Sequence, residues 1–201
     1  MRPFGFFSTL APAGASILAT YQIDFGDDIG GRLSPAPWNN FDDGSVGFVN
    51  GSSLANITDT DSNVSGIEVV ITDSFSAVNG AGAADDPVNS PYPFSATRDG
   101  FEITQGSVAT IEFRNLDPTK VYDFTIFGAR AFIGDSTDYT ALGFNSRTET
   151  LNINNNGNGQ AYLTVTISDI IPDMAGTIAL EVEGNGGNGY INVVELIEKN
   201  P

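Results

Sequence analysis

The chain has 201 residues, with 25 acidic side chains against 8 basic ones, a formal charge of −17, and neither cysteine nor histidine. That charge repels nucleic acid and anionic membrane surfaces, and the missing thiols and imidazoles exclude disulfides, thiolate or imidazole zinc sites, and Ser-His-Asp or Cys-His catalysis. A chain of this length can fold as one β-sandwich domain with a two-sheet core.

The N-terminal stretch, residues 1–19, carries Phe4, Phe6, Phe7 and Leu10, and Pro3, Gly5, Pro12 and Gly14 interrupt its apolar run. It is too short to span a bilayer and lacks the form of a secretory signal. An apolar segment of this kind needs cover, from a neighbouring subunit or from its own domain. Residues 1–19 are therefore expected to be an anchoring and assembly arm, docked through those four side chains, ahead of one domain over 20–201.

From residue 21 the pattern becomes short period-2 runs separated by Gly, Asn, Asp and Pro clusters. It predicts strands over 21–25, 53–58, 66–72, 108–115, 121–128, 137–143, 149–154, 160–167, 177–183 and 190–198. In 121–127, Tyr122, Phe124 and Ile126 share one apolar face, opposite Val121, Asp123, Thr125 and Phe127. No segment sustains a 3.6-residue period, so the expected fold is an all-β, two-sheet sandwich with little helix. Pro118 marks a turn at 116–119, and the Asn- and Gly-rich stretches 154–159 and 185–189 supply residues that tolerate positive φ. Two longer stretches, 26–51 and 75–97, lack strand periodicity, and long loops of this kind tend to carry function.

Catalytic signatures are missing: there is no GxSxG elbow and no GxxxxGK[ST] phosphate loop. With 25 carboxylates, some glycosidase-like pair always exists, so such a pair carries no information. The expectation is a protein that binds and does not catalyse. Carboxylates cluster at Asp27-Asp28, Asp42-Asp43 and Asp85-Asp86, and Asp59, Asp61 and Asn63 open like a calcium loop. The EF-hand pattern then fails at Val64 and Val70, so 59–63 also reads as an Asx-rich turn. A structural Ca²⁺ held by Asp27, Asp28, Asp59 or Asp61 is the only cofactor expected.

The segment Ser34-Pro35-Ala36-Pro37-Trp38-Asn39-Asn40-Phe41 carries the only tryptophan. An aromatic plane packs on the C–H face of a sugar ring, and amides match its hydroxyls. Trp38, Asn39 and Asn40 are thus candidate ligand residues; the competing reading has Trp38 plugging one end of the sandwich. Tyr92 and Phe94, framed by Pro91 and Pro93, form a second aromatic group with little entropy left to lose. Arg98, Asp99 and Arg130 either pair locally with carboxylates or complete a polar rim with Asn40.

The succession Ile23-Asp24-Phe25-Gly26, Trp38-Asn39-Asn40, Ile57-Thr58-Asp59, Ser65-Gly66-Ile67 and Ser95-Ala96-Thr97-Arg98-Asp99-Gly100-Phe101 resembles the galactose-binding-like jelly-roll modules of exported bacterial proteins. Leu116-Asp117-Pro118, Val121-Tyr122-Asp123-Phe124, Phe127-Gly128-Ala129-Arg130, Gly176-Thr177-Ile178 and Gly189-Tyr190-Ile191-Asn192 continue the resemblance, which covers about residues 21–197. It implies a jelly roll that binds sugars through loops at one end, often with a structural calcium ion. Typical relatives continue into an enzyme or a sorting tail, whereas this sequence stops at Pro201, which weighs against an accessory module of a larger enzyme. The N-terminal arm is loosely similar to the arms of tailed-phage structural proteins.

These readings yield a first expectation: a non-catalytic attachment protein on a virion surface, docked on neighbouring subunits through 1–19 and binding a glycan. The alternatives are a secreted bacterial carbohydrate-binding module and a ligand-free structural spacer. An exposed Trp38 favours binding, and a Trp38 wholly in the core favours the spacer.

Overall fold

Strands whose side chains alternate between apolar and polar bury one face each, and two such sheets must close on each other. The computed structural model describes residues 16–27, 32–83, 90, 92–130, 136–154, 156 and 162–201. Its strands, in chain order, are β1 (Ile17–Gly26), β2 (Asn39–Asp42), β3 (Ser53–Ala55), β4 (Glu68–Asp73), β5 (Ala77–Asn79), β6 (Gly100–Ile103), β7 (Val108–Arg114), β8 (Val121–Phe127), β9 (Ser136–Leu142), β10 (Ser146–Asn152), β11 (Val165–Ile170), β12 (Ile178–Asn185), β13 (Gly189–Ile191) and β14 (Val193–Lys199). Helix among the described residues is limited to the single turn α1 (Phe94–Thr97).

A five-stranded sheet in the order β11-β8-β14-β1-β2 faces a six-stranded sheet in the order β10-β9-β12-β7-β4-β3, and β13-β6-β5 form a small third sheet. From β7 onward the chain passes from one large sheet to the other and back, which is the jelly-roll path. The two-sheet, all-β architecture expected from the strand pattern is present. Between the sheets, Ile23, Phe25, Ile71, Ile111, Phe113, Phe124, Ile126, Leu180 and Leu196 are fully buried. Phe113 of β7 meets Phe124 of β8 edge-on at 5.1 Å, tying the two layers directly. Phe101 lies within 5.3–6.1 Å of Phe25, Phe41, Phe48 and Phe75, so one ring organises an aromatic cluster at the end of the core.

Several boundaries differ from expectation, each for a local reason. β1 begins at Ile17, where the arm was expected to continue, because Ile17 pairs with Lys199 and Ala19 with Glu198 of β14. Phe4, Phe6, Phe7 and Leu10 lie outside the described residues. β3 stops at Ala55 because Asn56 takes φ 57°, which an extended strand cannot hold. The strand expected over 160–167 lies at Val165–Ile170 instead. The run expected over 190–198 is two strands divided at Asn192, with β13 pairing to β6 and β14 to β1 and β8. Short β2, β5 and α1 occupy the two stretches expected to be loops.

Candidate functional site

The end of the sandwich where β1 and β8 finish is covered by segment 32–38 and by the turn around α1, and a second, smaller apolar cluster lies beneath them. It consists of Ala83, Tyr92, Ala96, Phe127, Ala129 and Val193, with Trp38 and Tyr162 packed partly buried against it. The rings form a chain. Trp38 meets Tyr92 edge-on at 5.9 Å and 88°, Tyr92 lies 6.0 Å from Phe127, and Phe127 stacks on Tyr162 at 5.0 Å and 16°. Phe127 faces this cluster because strand alternation sends Phe124 and Ile126 into the main core and Phe127 to the outer face.

Tyr92 is fixed from below. Its hydroxyl donates to Glu195 Oε2 at 3.2 Å, and Gln22 Nε2 donates to Glu195 Oε1 at 2.8 Å. Burial, and then the Glu195 charge, hold the Tyr92 phenol well above its ordinary pKa, so it remains a donor across the physiological range. Trp38 is half-buried and packs against the cluster, lying between the two alternatives posed by the sequence. The preceding Ala36–Pro37 bond is cis.

Both amides beside Trp38 are engaged by main chain. Asn39 Nδ2 donates to Gln22 O at 3.0 Å and Thr58 O at 2.8 Å, and its Oδ1 accepts from Thr58 N at 2.8 Å. Asn40 Oδ1 accepts from Ser34 N at 2.7 Å while its Nδ2 donates to Ser34 O at 3.0 Å, closing a ring of bonds around the Trp38 segment. In this arrangement both amides position the loop, because buried main-chain groups otherwise left unpaired would be costly.

A polar cluster adjoins the aromatic one. Asp99 is buried and accepts from Asp27 N at 2.8 Å, with Arg32 Nη1 at 3.7 Å; Arg32 Nη1 also lies 3.2 Å from Asp27 Oδ2. Arg32 thus bridges the segments that carry Asp27 and Asp99. The Arg98 guanidinium lies 5.3 Å from the Phe94 ring, and that of Arg130 lies 5.3 Å from Tyr190. Gly26 permits the Asp99 contact, since a Cβ there would stand 2.8 Å from the Asp99 carboxyl carbon. Burial pushes Asp99 up to about 6, against the opposing amide of Asp27 and charge of Arg32. Asp24, also buried, is pushed up to about 8, first by burial and then by the charges of Asp99 and Asp42, while Ser34 acts in the opposite direction. Both residues are buried, so their carboxyls organise the loops around them.

The expected metal ligands do not converge. Asp59 Oδ1 accepts from Asp61 N at 2.9 Å and Asn63 N at 2.8 Å, and Asn63 Nδ2 reaches Asp59 Oδ2 at 3.0 Å, which makes 59–63 the Asx-rich turn. These bonds lower the Asp59 pKa, the Asn63 side chain contributing most. The turn sits beside Thr20, near the start of β1, whereas Asp27 follows its end. Asp28 lies outside the described residues. Among the described residues no group of three acidic side chains stands together.

No family model and no curated protein matches this sequence. Similar solved structures include the carbohydrate-binding module TmCBM61 in complex with β-1,4-galactotriose, at 15% identity and TM-score 0.32, over 63% of this chain and 80% of that one. The C-terminal CBM6 of LamC from Zobellia galactanivorans is similar at 16% identity and TM-score 0.35, over 64% of this chain and 98% of that one. The enzymatically active domain of bacteriophage CBA120 tailspike protein 4 is similar at 13% identity and TM-score 0.33, over 63% of this chain and 17% of that one.

Sequence reasoning missed the residues that hold the site together. Asn192 is fully buried: its Oδ1 accepts from Ala129 N at 2.7 Å, and its Nδ2 donates to Thr97 O at 3.4 Å and to Asp99 O. It joins the end of β8 to the α1 turn, and its polar side chain inside an apolar run was the available signal. Glu195 and Gln22 were legible only as outward-facing strand positions.

Proposed function

We propose that this chain is a non-catalytic carbohydrate-binding domain that receives the face of a sugar ring on Trp38, as part of an extracellular or virion-borne protein. The observation that carries the reading is the partly exposed Trp38, whose ring stands at 88° to that of Tyr92, itself buried and bonded to Glu195. An aromatic surface immobilised before the ligand arrives loses little entropy on binding, and its apolar face suits the C–H face of a pyranose. Asn39 and Asn40 act as positioning residues for Trp38, Tyr92 backs it, and Arg98, stacked on Phe94, supplies N–H donors for hydroxyls. Arg130 and Asp99 belong to the supporting frame. On a virion, docking through residues 1–15 would display many copies, and multivalency would compensate for weak single-site affinity.

The test is a glycan-array screen of the whole chain, run with and without chelator, comparing wild type with Trp38→Ala. Binding by wild type that falls about tenfold or more in the variant supports the reading. No binding on any array, or binding indifferent to Trp38, overturns it in favour of a structural spacer. Loss of binding on chelation alone would bring a cation into the loop that follows Asp27.

A further inference from the structure

A sheet edge offers unpaired N–H and C=O groups to any other strand, and proteins ordinarily blunt such edges with short length, bulges, proline or lysine. Two of the four edges of the large sheets are protected in these ways: β3 has only three residues, and β11 is interrupted by a register shift between Ile167 and Ile170. β2 has four residues and is largely buried. β10 differs. It runs seven residues in unbroken register against β9, from Ser146↔Leu142 to Asn152↔Ser136, with no bulge, proline or lysine, and its two charges, Arg147 and Glu149, are of opposite sign. Ser146, Arg147, Thr148, Glu149 and Thr150 are all exposed, and among the described residues no strand pairs with the outer edge of β10, although Leu151 is buried.

Its sequence is self-complementary. In Ser146-Arg147-Thr148-Glu149-Thr150, a two-fold axis through Thr148 sets Arg147 opposite Glu149 of the partner subunit, and Glu149 opposite Arg147 of the partner subunit. Thr148 then faces its own copy, and Ser146 faces Thr150 of the partner subunit. Cross-strand neighbours in an antiparallel pair lie about 4.5–5.5 Å apart at Cβ, within reach for an Arg–Glu pair. Among the described residues neither Arg147 nor Glu149 has an ion-pair partner within the chain. In a chain of charge −17, the strand itself is neutral, which removes local repulsion where the two copies would meet. Repulsion between the rest of the two bodies is screened beyond about 8 Å at physiological salt.

We propose that β10 pairs antiparallel with β10 of a second copy, about a two-fold axis at Thr148, joining two six-stranded sheets into one continuous sheet. The contact is isologous and closes at two copies, leaving no further edge of its kind. It does not rest on the glycan reading and would hold for a spacer protein equally.

Sedimentation equilibrium of the whole chain at physiological salt, from about 1 µM to about 100 µM, is the direct test. Wild type is expected to approach twice 21.1 kDa as concentration rises. Arg147→Glu places two carboxylates opposite each other and is expected to weaken association about tenfold or more, whereas the double exchange Arg147→Glu with Glu149→Arg restores complementarity and association. Thr148→Pro, which removes an edge N–H, is expected to be monomeric with an unchanged far-ultraviolet spectrum. A monomer at every concentration overturns the proposal, as does a double exchange that stays monomeric. A dimer indifferent to Thr148→Pro, including one held by residues 1–15 and lost on their deletion, overturns it as well.

Discussion

Replacing Asp24 by Asn tests how the buried acidic cluster is maintained. Asp24 is 4% exposed, its Oδ1 has no hydrogen-bond partner, and its pKa is pushed from 3.8 to about 8. An acid whose folded pKa lies above its unfolded value binds its proton more tightly in the folded state. Its contribution to stability is therefore complete below about pH 4 and is lost progressively as pH rises towards 8. A difference of about four units at about 1.36 kcal/mol each sets a ceiling near 5–6 kcal/mol, and relaxation around the charge reduces this to about 2–4 kcal/mol. Asn keeps the shape and polar contacts with Ser34 without the ionisation. Thermal unfolding followed by circular dichroism at pH 4 to pH 9 should show the two proteins similar at the acid end, and the variant more stable by about 5–10 °C at the alkaline end. Parallel pH profiles for the two proteins would refute the reasoning, because the pH dependence would then arise elsewhere.

Other outcomes follow from the same geometry. Asn192→Ala strands Ala129 N and the Thr97 and Asp99 carbonyls and is expected to cost about 2–4 kcal/mol, read as a lower midpoint in urea with an unchanged m-value. Phe101→Ala empties the centre of the aromatic cluster and should cost about 3–5 kcal/mol in the same assay. Gly82→Ala would place Cβ 2.5 Å from Thr97 O and should destabilise the α1 turn, visible as faster amide exchange around Ala83 and Arg98. Asn39→Ala should weaken any ligand through a loosened Trp38 while leaving Trp38 itself intact.

The parts of the fold legible in the sequence are those with local causes. β7, β8 and β9 each contain an alternating stretch, such as Ala109–Arg114 and Tyr122–Ile126, and their bounds fall within a residue or two of the pattern. β2 reads Asn-Asn-Phe-Asp, which is loop chemistry. It becomes a strand because β1 offers it a parallel partner, with Phe41 beside Phe25. The strand expected over 160–167 begins at Val165, because Tyr162 stacks on Phe127 and pairing starts three residues later. Asn192 broke the final run because its own main chain serves two strands, Phe25 N donating to Asn192 O and Asn192 N to Phe127 O.

At the site, residue types were readable and partners were not. Trp38 and Tyr92 stood out as aromatics in proline-framed loops, yet nothing local says that they touch. Asn39 looked like a ligand amide; its partner Thr58 is 19 residues away, and Asp99 meets the Asp27 amide across 72 residues. Pairings of that separation depend on how the sheets align, which a single sequence does not express. Arg32 was overlooked for the same reason, since its two carboxylates come from different loops.

Because Trp38 is the only tryptophan in the chain, its emission reports on the proposed site alone. Titrating the best array ligand into the protein while recording tryptophan fluorescence measures binding and location together. A saturable change in emission, absent when the same ligand is added to free tryptophan, is the predicted result. Binding confirmed by calorimetry with the emission spectrum unmoved would contradict a sugar seated on Trp38.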